Sequence, residues 1–472
     1  MSDPIVTTTE GAVRGHVTDT AHVFLDIPYA APPLGPARFD VSTPHQPWSG
    51  VRDATRPGPT APQPGRDFGK LDMSPYFGPG WVHGADYLTV SVWAPAQASN
   101  SPVMVFVHGG GYVSGSNRAP LYDGKAFARD GVVLVTVNYR IGIPGFLDLP
   151  GAPANRGMLD IVAALRWVRR NVAAFGGDPD NVTLFGQSAG ATIVGGLLAL
   201  PEGRNLFHRA IVQSGSGTGA FSPEQAARVT RAAADTLGIK PTATDFAEIP
   251  DERLVALVPE LTGIDLRTET SADPLAGLSP FGLVLDTQPA DAVAAGASAE
   301  VTLIVGTNTE EANLYLAPQH DSAATSEDAV YATAAGVDTD PKARVARYRA
   351  RHPQASLTEL QSTLLGDALF GTGSRRLAEA HAALGASPTY TYEFDWQSTA
   401  LDGRLGAAHT VELPFVFDRL DLPPLHGSRG LLGPAEPPKA LAARMHGAWV
   451  RFAHTGDPGW TPSHAHRFTG QE

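Results

Sequence analysis

Two hydrophobic periods alternate along the chain. "VMVFV" (Val103–Val107) and "VVLVTVNY" (Val132–Tyr139) are unbroken runs rich in β-branched residues, the mark of strands buried on both faces. "MLDIVAALRWVRRNVAAF" (Met158–Phe175) then places Leu159, Val162, Leu165, Val168 and Val172 three to four residues apart, which predicts an amphipathic helix. Strand patterning returns in "NVTLF" (Asn181–Phe185), "RAIVQS" (Arg209–Ser214), "VTLIVGT" (Val301–Thr307) and "TYTYEF" (Thr389–Phe394), with a small-residue helix starting at Ser188. Upstream, "DYLTVSVWAP" (Asp86–Pro95) alternates apolar and polar residues and predicts a half-buried strand. "FLDIPYAAPPLGPARF" (Phe24–Phe39) carries four prolines and excludes a helix. Buried strands alternating with helices predict an α/β protein, its central, mostly parallel sheet flanked by helices on both faces.

Two stretches leave this rhythm. Residues 221–299 and 316–384 are Ala-rich and helical in pattern, without strong strands. They read as helical insertions forming a lid or pocket wall on a single domain spanning 1–472. No internal repeat and no separating linker is visible. "HGSRGLLGPAEPPKA" (His426–Ala440) reads as a surface loop before one more helix.

Charge and composition narrow the class. The formal net charge of −13 argues against nucleic acid or an anionic membrane surface as partner. There are no cysteines, so disulfides, thiolate catalysis and zinc–cysteine sites are excluded. The start, "MSDPIVTTTEGAVRG", lacks a basic region followed by an apolar stretch, and no run of about 18 apolar residues occurs. A cytoplasmic protein, monomeric or weakly homo-oligomeric, acting on a small molecule is expected.

The candidate chemistry lies in "LFGQSAGAT" (Leu184–Thr192), where Gly186-Gln187-Ser188-Ala189-Gly190 fits G-x-S-x-G between a strand and a helix. A corner that tight lifts a serine hydroxyl to the carboxyl end of the sheet, at a helix N-terminus that favours developing negative charge. The bland alternative is a turn whose serine caps the helix. "FVHGGGYVSGS" (Phe106–Ser116) adds three glycines directly after a buried strand. Backbone free of side chains there can aim N–H groups at an oxyanion, and each such donor is typically worth about 10²–10³ in rate.

With these motifs on the page, the chain resembles the type-B carboxylesterase family of the α/β-hydrolase fold, which includes bacterial p-nitrobenzyl esterases and, more distantly, the cholinesterases. The resemblance runs from "GAVRG" (Gly11–Gly15) through "PWSGVRDAT", "VNYRIGIPGFL", "LFHRAIVQSGS" and "ELPFVFDRL" to "HTGDPGW", nearly the whole chain. It implies a serine hydrolase of carboxylic esters working through an acyl-enzyme, with no metal or organic cofactor. The triad it implies is Ser188 as nucleophile, His409 as base and Glu311 as orienting acid, in the chain order of this fold. The residues alone leave Glu310 open beside Glu311 in "VTLIVGTNTEEANLYL"; the family pattern selects the second acid. His409 stands in "LGAAHTVELPFVF", matching the family's Gly-Ala-x-His segment. The backbone N–H groups of Gly110, Gly111 and Ala189 are the implied oxyanion hole. His108 reads as a loop-shaping residue, and His454, His464 and His466 as a surface tail.

The chain departs from the family in places. Gln187 replaces a frequent Glu, Ala312 a glycine after the acid pair, and Ile161 a common Gln. The cysteines of the animal enzymes are absent, as in intracellular bacterial relatives. The chain stops soon after Trp460, so a final strand or helix is expected to be missing. Competing readings are a specialised hydrolase of carbamates, amides, lactones or aromatic polyester fragments, and a non-catalytic binding protein of the same fold. Specificity is expected in Leu71–Trp81, Phe221–Phe281 and Leu314–Phe370.

Overall fold

A computed structural model describes residues 3–269, 271–319 and 325–470. Among these, a ten-stranded sheet runs in the order His466–Phe468, Thr389–Phe394, Thr302–Asn308, Arg209–Gln213, Gly177–Gln187, Ser101–Val107, Val133–Val137, Thr89–Pro95, Ala21–Pro28 and His16–Val17. Every neighbouring pair from His466–Phe468 through Val133–Val137 is parallel. The remaining pairs are antiparallel. A separate three-stranded sheet is formed by Ile5–Thr7, Ala12–Arg14 and Val51–Asp53.

The unbroken apolar runs are strands covered on both faces, and the period of two decides which face each residue serves. Val103, Val105, Val107, Val133, Val135, Leu184, Val212 and Val305 join one core layer, with Leu165 and Trp167 of the helix Arg156–Asn171. Met104, Phe106, Leu134, Phe185, Ile211 and Ile304 join the other, with Trp449 and Phe452 of the helix Lys439–Thr455. Each such side chain stabilises the fold by about 1.5–3 kcal/mol through burial.

The stretches that leave the strand rhythm carry the helices Pro223–Leu237, Ala243–Ala247 and Asp251–Glu260, then Glu327–Val337, Pro341–Arg351, Leu357–Gly366 and Thr372–Leu384. Two begin in capping boxes, Ser222 with Gln225 and Ser356 with Glu359. Val330, Val345, Leu360 and Leu364 form a small core of their own.

Three expectations need correction. The proline-rich stretch holds the end of the strand Ala21–Pro28 and then a 3-10 turn, Gly35–Phe39. Pro36 is tolerated there because a first turn has no use for its missing N–H. The segment before the last long helix is not merely surface, since Leu431 and Leu432 are fully buried. The strand Thr89–Pro95, expected to be half-buried, is buried from Thr89 to Ala94. At the edge of the sheet, the strand His466–Phe468 pairs with Thr389–Phe394.

One buried ion pair ties the front of the molecule together. Arg140, just past the strand Val133–Val137, meets Asp160 of the helix Arg156–Asn171 with Nε at 2.9 Å and Nη2 at 2.7 Å from the carboxylate. Both side chains are fully buried. The Arg140 backbone N–H also donates to Asp160, and its guanidinium reaches the carbonyls of Arg38 (3.0 Å) and Asp40 (2.7 Å) and the Ser42 hydroxyl. Ile161 next to it is buried among apolar neighbours. Removing one partner strands a buried charge, so Asp160→Ala is expected to destabilise by about 3–5 kcal/mol in urea unfolding. A loss under about 1 kcal/mol would show that the pair does not hold this region.

Candidate active site

The strand Gly177–Gln187 stops one residue before the helix Ala189–Ala199, and Ser188 between them sits at φ 59°, ψ −127°. A side chain at Gly186 would lie 2.7 Å from the Gly190 carbonyl, and one at Gly190 would overlap the Val107 carbonyl oxygen. Small residues are therefore compulsory on both sides of the corner. The Ser188 N–H donates to the Gln213 carbonyl (2.9 Å) on the neighbouring strand. Its side chain makes no capping hydrogen bond. The cap reading of this serine thus fails, and its hydroxyl is left at the pocket wall.

His409 and Glu311 meet at 2.6 Å, Nδ1 to Oε2, although 98 residues separate them. Both are buried. The His409 backbone N–H also donates to the Glu311 carbonyl (3.2 Å). The other Glu311 oxygen accepts from the Ser214 hydroxyl (2.6 Å) and the Asn308 backbone N–H (2.8 Å). Glu310 points elsewhere and accepts from the Ala407 N–H (2.8 Å), anchoring the loop that carries His409. The adjacent acids therefore divide their work: Glu311 meets the ring and Glu310 the backbone. Ala312, in place of a glycine, is fully buried.

The far nitrogen of His409 is engaged by the Gln187 side-chain amide, at 3.2 Å. Ser188 and His409 line the same pocket, but the serine hydroxyl has no hydrogen bond to the ring among the described residues. The imidazole stacks on Phe370 with centroids 4.2 Å apart. Gly110 and Gly111 line the pocket opposite, at φ 115° and 61°. A side chain at Gly110 would overlap the Ser114 carbonyl, so this loop needs glycine. The N–H groups of Gly110, Gly111 and Ala189 have no acceptor among the described residues.

His108 lies beneath this loop. Its Nδ1–H donates to the Gly109 carbonyl (2.8 Å), its ring stacks on Tyr139, and burial lowers its pKa to about 4. It is a neutral loop-shaping residue. Of the tail histidines, His466 lies in the edge strand stacked on Trp460, and His464 contacts Ser463.

Sequence reasoning missed a polar layer behind the triad candidates. Asn308 Nδ2 donates to the Ala408 carbonyl (2.7 Å) and to Glu412 (2.8 Å). Gln213 reaches Glu412 at 3.4 Å and accepts from the Trp449 indole at 3.1 Å. Gln187, Gln213, Ser214 and Asn308 each stand where a parallel strand ends. A polar residue closing an apolar run at the carboxyl edge of the sheet is the signal that could have found them. The pocket walls come from all three expected stretches, through Tyr76, Phe77, Leu275, Leu278, Leu314 and Phe370. Arg66 and Phe68, just before the first, also contribute.

Glu412 is fully buried, and burial, with the Glu311 carboxylate nearby, raises its pKa from 4.5 to about 7. Between those values the unfolded chain has lost this proton while the folded chain keeps it. Its contribution to stability is therefore fully present below about pH 4.5 and lost as pH rises toward 7. Glu412→Gln is expected to flatten that dependence. The stability difference between wild type and variant should shrink or invert by about 2–3 kcal/mol from pH 5 to 7 in urea unfolding. A difference constant across that range would show that Glu412 does not titrate there.

Comparisons with known proteins agree on one group. A sequence profile of the carboxylesterase family matches residues 2–469. The para-nitrobenzyl esterase of Bacillus subtilis (strain 168) is 36% identical over 478 residues, covering 97% of this chain and 91% of that protein. The phenmedipham hydrolase of Pseudarthrobacter oxydans is 35% identical, with the same coverage of 97% and 91%. A solved PNB esterase superposes with a TM-score of 0.83 at 35% identity, over 97% of this chain and 92% of that one. A Geobacillus stearothermophilus carboxylesterase superposes with a TM-score of 0.82 at 35% identity, over 99% and 96%.

Proposed function

The chain belongs to the carboxylesterase family and is a serine hydrolase of carboxylic esters; on that premise we propose that Ser188, His409 and Glu311 are its catalytic triad. The observation that carries this reading is the 2.6 Å contact of His409 Nδ1 with Glu311, in the same pocket as a serine held on a left-handed corner. A carboxylate on Nδ1–H fixes the tautomer that leaves Nε2 free to accept a proton.

In the proposed cycle the Gln187 amide leaves Nε2 and the Ser188 hydroxyl takes its place. Catalytic hydrogen bonds of this kind often tighten only when substrate is bound. Ser188 Oγ attacks the ester carbonyl carbon as its proton passes to His409. The N–H groups of Gly110, Gly111 and Ala189 receive the oxyanion. The tetrahedral intermediate collapses, the C–O bond to the alcohol breaks, and His409 returns the proton to the departing oxygen. Water then gives a proton to His409 and attacks the acyl carbon. The acid leaves, and Ser188 recovers its proton. Glu311 stabilises the imidazolium in each half without taking the proton.

Two outcomes are expected. Ser188→Ala, folded by circular dichroism, should lose about 10⁴–10⁶-fold in kcat for p-nitrophenyl butyrate. Activity equal to wild type would remove Ser188 as nucleophile. Gln187→Glu places a negative charge beside Ser188 and should raise preference for cationic over matched neutral esters by about threefold to tenfold. An unchanged ratio would show that this position does not select charge.

A further inference from the structure

The pocket carries one formal charge that the proposed chemistry does not use. Its lining contains Arg66 and, among the described residues, no aspartate or glutamate. Gln187, next to Ser188, is a neutral amide. Glu311 and Glu412 lie behind His409, engaged with His409, Ser214 and Asn308.

Arg66 is set beside the reacting centre. Its guanidinium donates to the Gly110 carbonyl at 3.2 Å, and Nη1 lies 3.2 Å from where a Gly111 side chain would begin. It stands over the rings of Phe68 (5.2 Å) and Phe77 (5.9 Å). Those rings pack against the guanidinium, and its other N–H donors make no hydrogen bond among the described residues. No carboxylate pairs with it among the described residues. The adjacent Asp67 turns back on its own loop and accepts from the Gly69 N–H at 2.8 Å. Arg66 is exposed at the mouth by surface area, although the groups packed around its guanidinium lower its pKa by desolvation; a guanidinium stays charged there all the same.

We infer that this pocket selects esters that carry a free carboxylate a few bonds from the scissile carbonyl, with Arg66 as the residue that binds the carboxylate. This rests on the ester-hydrolase reading of the same pocket and names its substrate class. A planar fork can hold a carboxylate through two parallel N–H···O bonds, and the apolar walls suit the methylene chain between the two groups. Arg66 sits next to the oxyanion glycines, so the second carboxylate lies near the reacting end of the substrate. It can belong to the acyl half, as in a half-ester of a dicarboxylic acid, or to the alcohol half, as in an acylated hydroxy acid.

The test pairs each anionic ester with a neutral isostere. Monoethyl adipate is compared with ethyl hexanoate for the acyl arm, and 4-acetoxybutyrate with butyl acetate for the alcohol arm. Product acid is followed by chromatography. The readout is the anionic-to-neutral ratio of kcat/KM, which cancels any general effect of Arg66 on the Gly110 loop. An exposed ion pair is worth a few-fold and an enclosed charge-assisted hydrogen bond up to about 100-fold, so Arg66→Gln should lower the ratio about tenfold in one arm, mainly through KM. Arg66→Lys should keep part of the preference, and added salt should weaken it in wild type. Ratios unchanged by Arg66→Gln in both arms, or a wild-type ratio indifferent to salt, overturn the proposal. Turnover of the neutral esters that Ser188→Ala abolishes secures the hydrolase reading separately, so a flat ratio counts against Arg66 alone.

Discussion

The backbone of Ser188 is the constraint on which the site depends. A non-glycine residue at φ 59°, ψ −127° costs about 1–3 kcal/mol. The cost is borne because the corner has no other way to close. Gly190 must pass against the Val107 carbonyl, and the Ser188 N–H is already committed to Gln213 on the next strand. Strand, corner and helix are thereby locked into one piece. The hydroxyl makes no capping bond to the helix it precedes, and the Ala189 N–H has no acceptor among the described residues. The strain is local, and the wide two-sided core behind it makes it affordable.

The His409–Glu311 pair arrives from far along the chain and is held by polar contacts. Asn308 ends one strand and reaches both Glu412 and the Ala408 carbonyl, beside His409. Glu310 fastens the same loop from the other side through Ala407. His409 is therefore placed by several hydrogen bonds, with Phe370 stacked on its ring. The layer works only if each buried group is satisfied, because an unpaired one costs about 1–3 kcal/mol. The Arg140–Asp160 pair applies the same rule to the front of the molecule, where it fixes the loop Arg38–Ser42 against the helix Arg156–Asn171.

Electrostatics set the character of the pocket. Its walls are mostly apolar and aromatic, its acids are behind the histidine, and its formal charge at the mouth is that of Arg66. Gln187 is neutral, and its amide rests on the His409 Nε2.

Much of this was legible from one dimension. Continuous β-branched runs can only be strands covered on both faces, so the parallel sheet followed from Val103–Val107, Val132–Tyr139 and their successors. G-x-S-x-G between a strand and a helix and the glycine run after Phe106 are local patterns, and local sterics decide them. Glu311 and His409 were found through family pattern, because nothing within either segment says that they touch. What only the tertiary structure decided are contacts between groups far apart in sequence. These include Gln187 on His409, Asn308 bridging to Glu412, Arg140 on Asp160, and, among the described residues, the absence of a carboxylate partner for Arg66. Hydrophobic period and glycine placement are set by each residue's own neighbours and so can be read along the chain. A hydrogen bond or an unpaired charge depends on which strand ends the sheet brings side by side, and that is fixed only when the whole chain has folded.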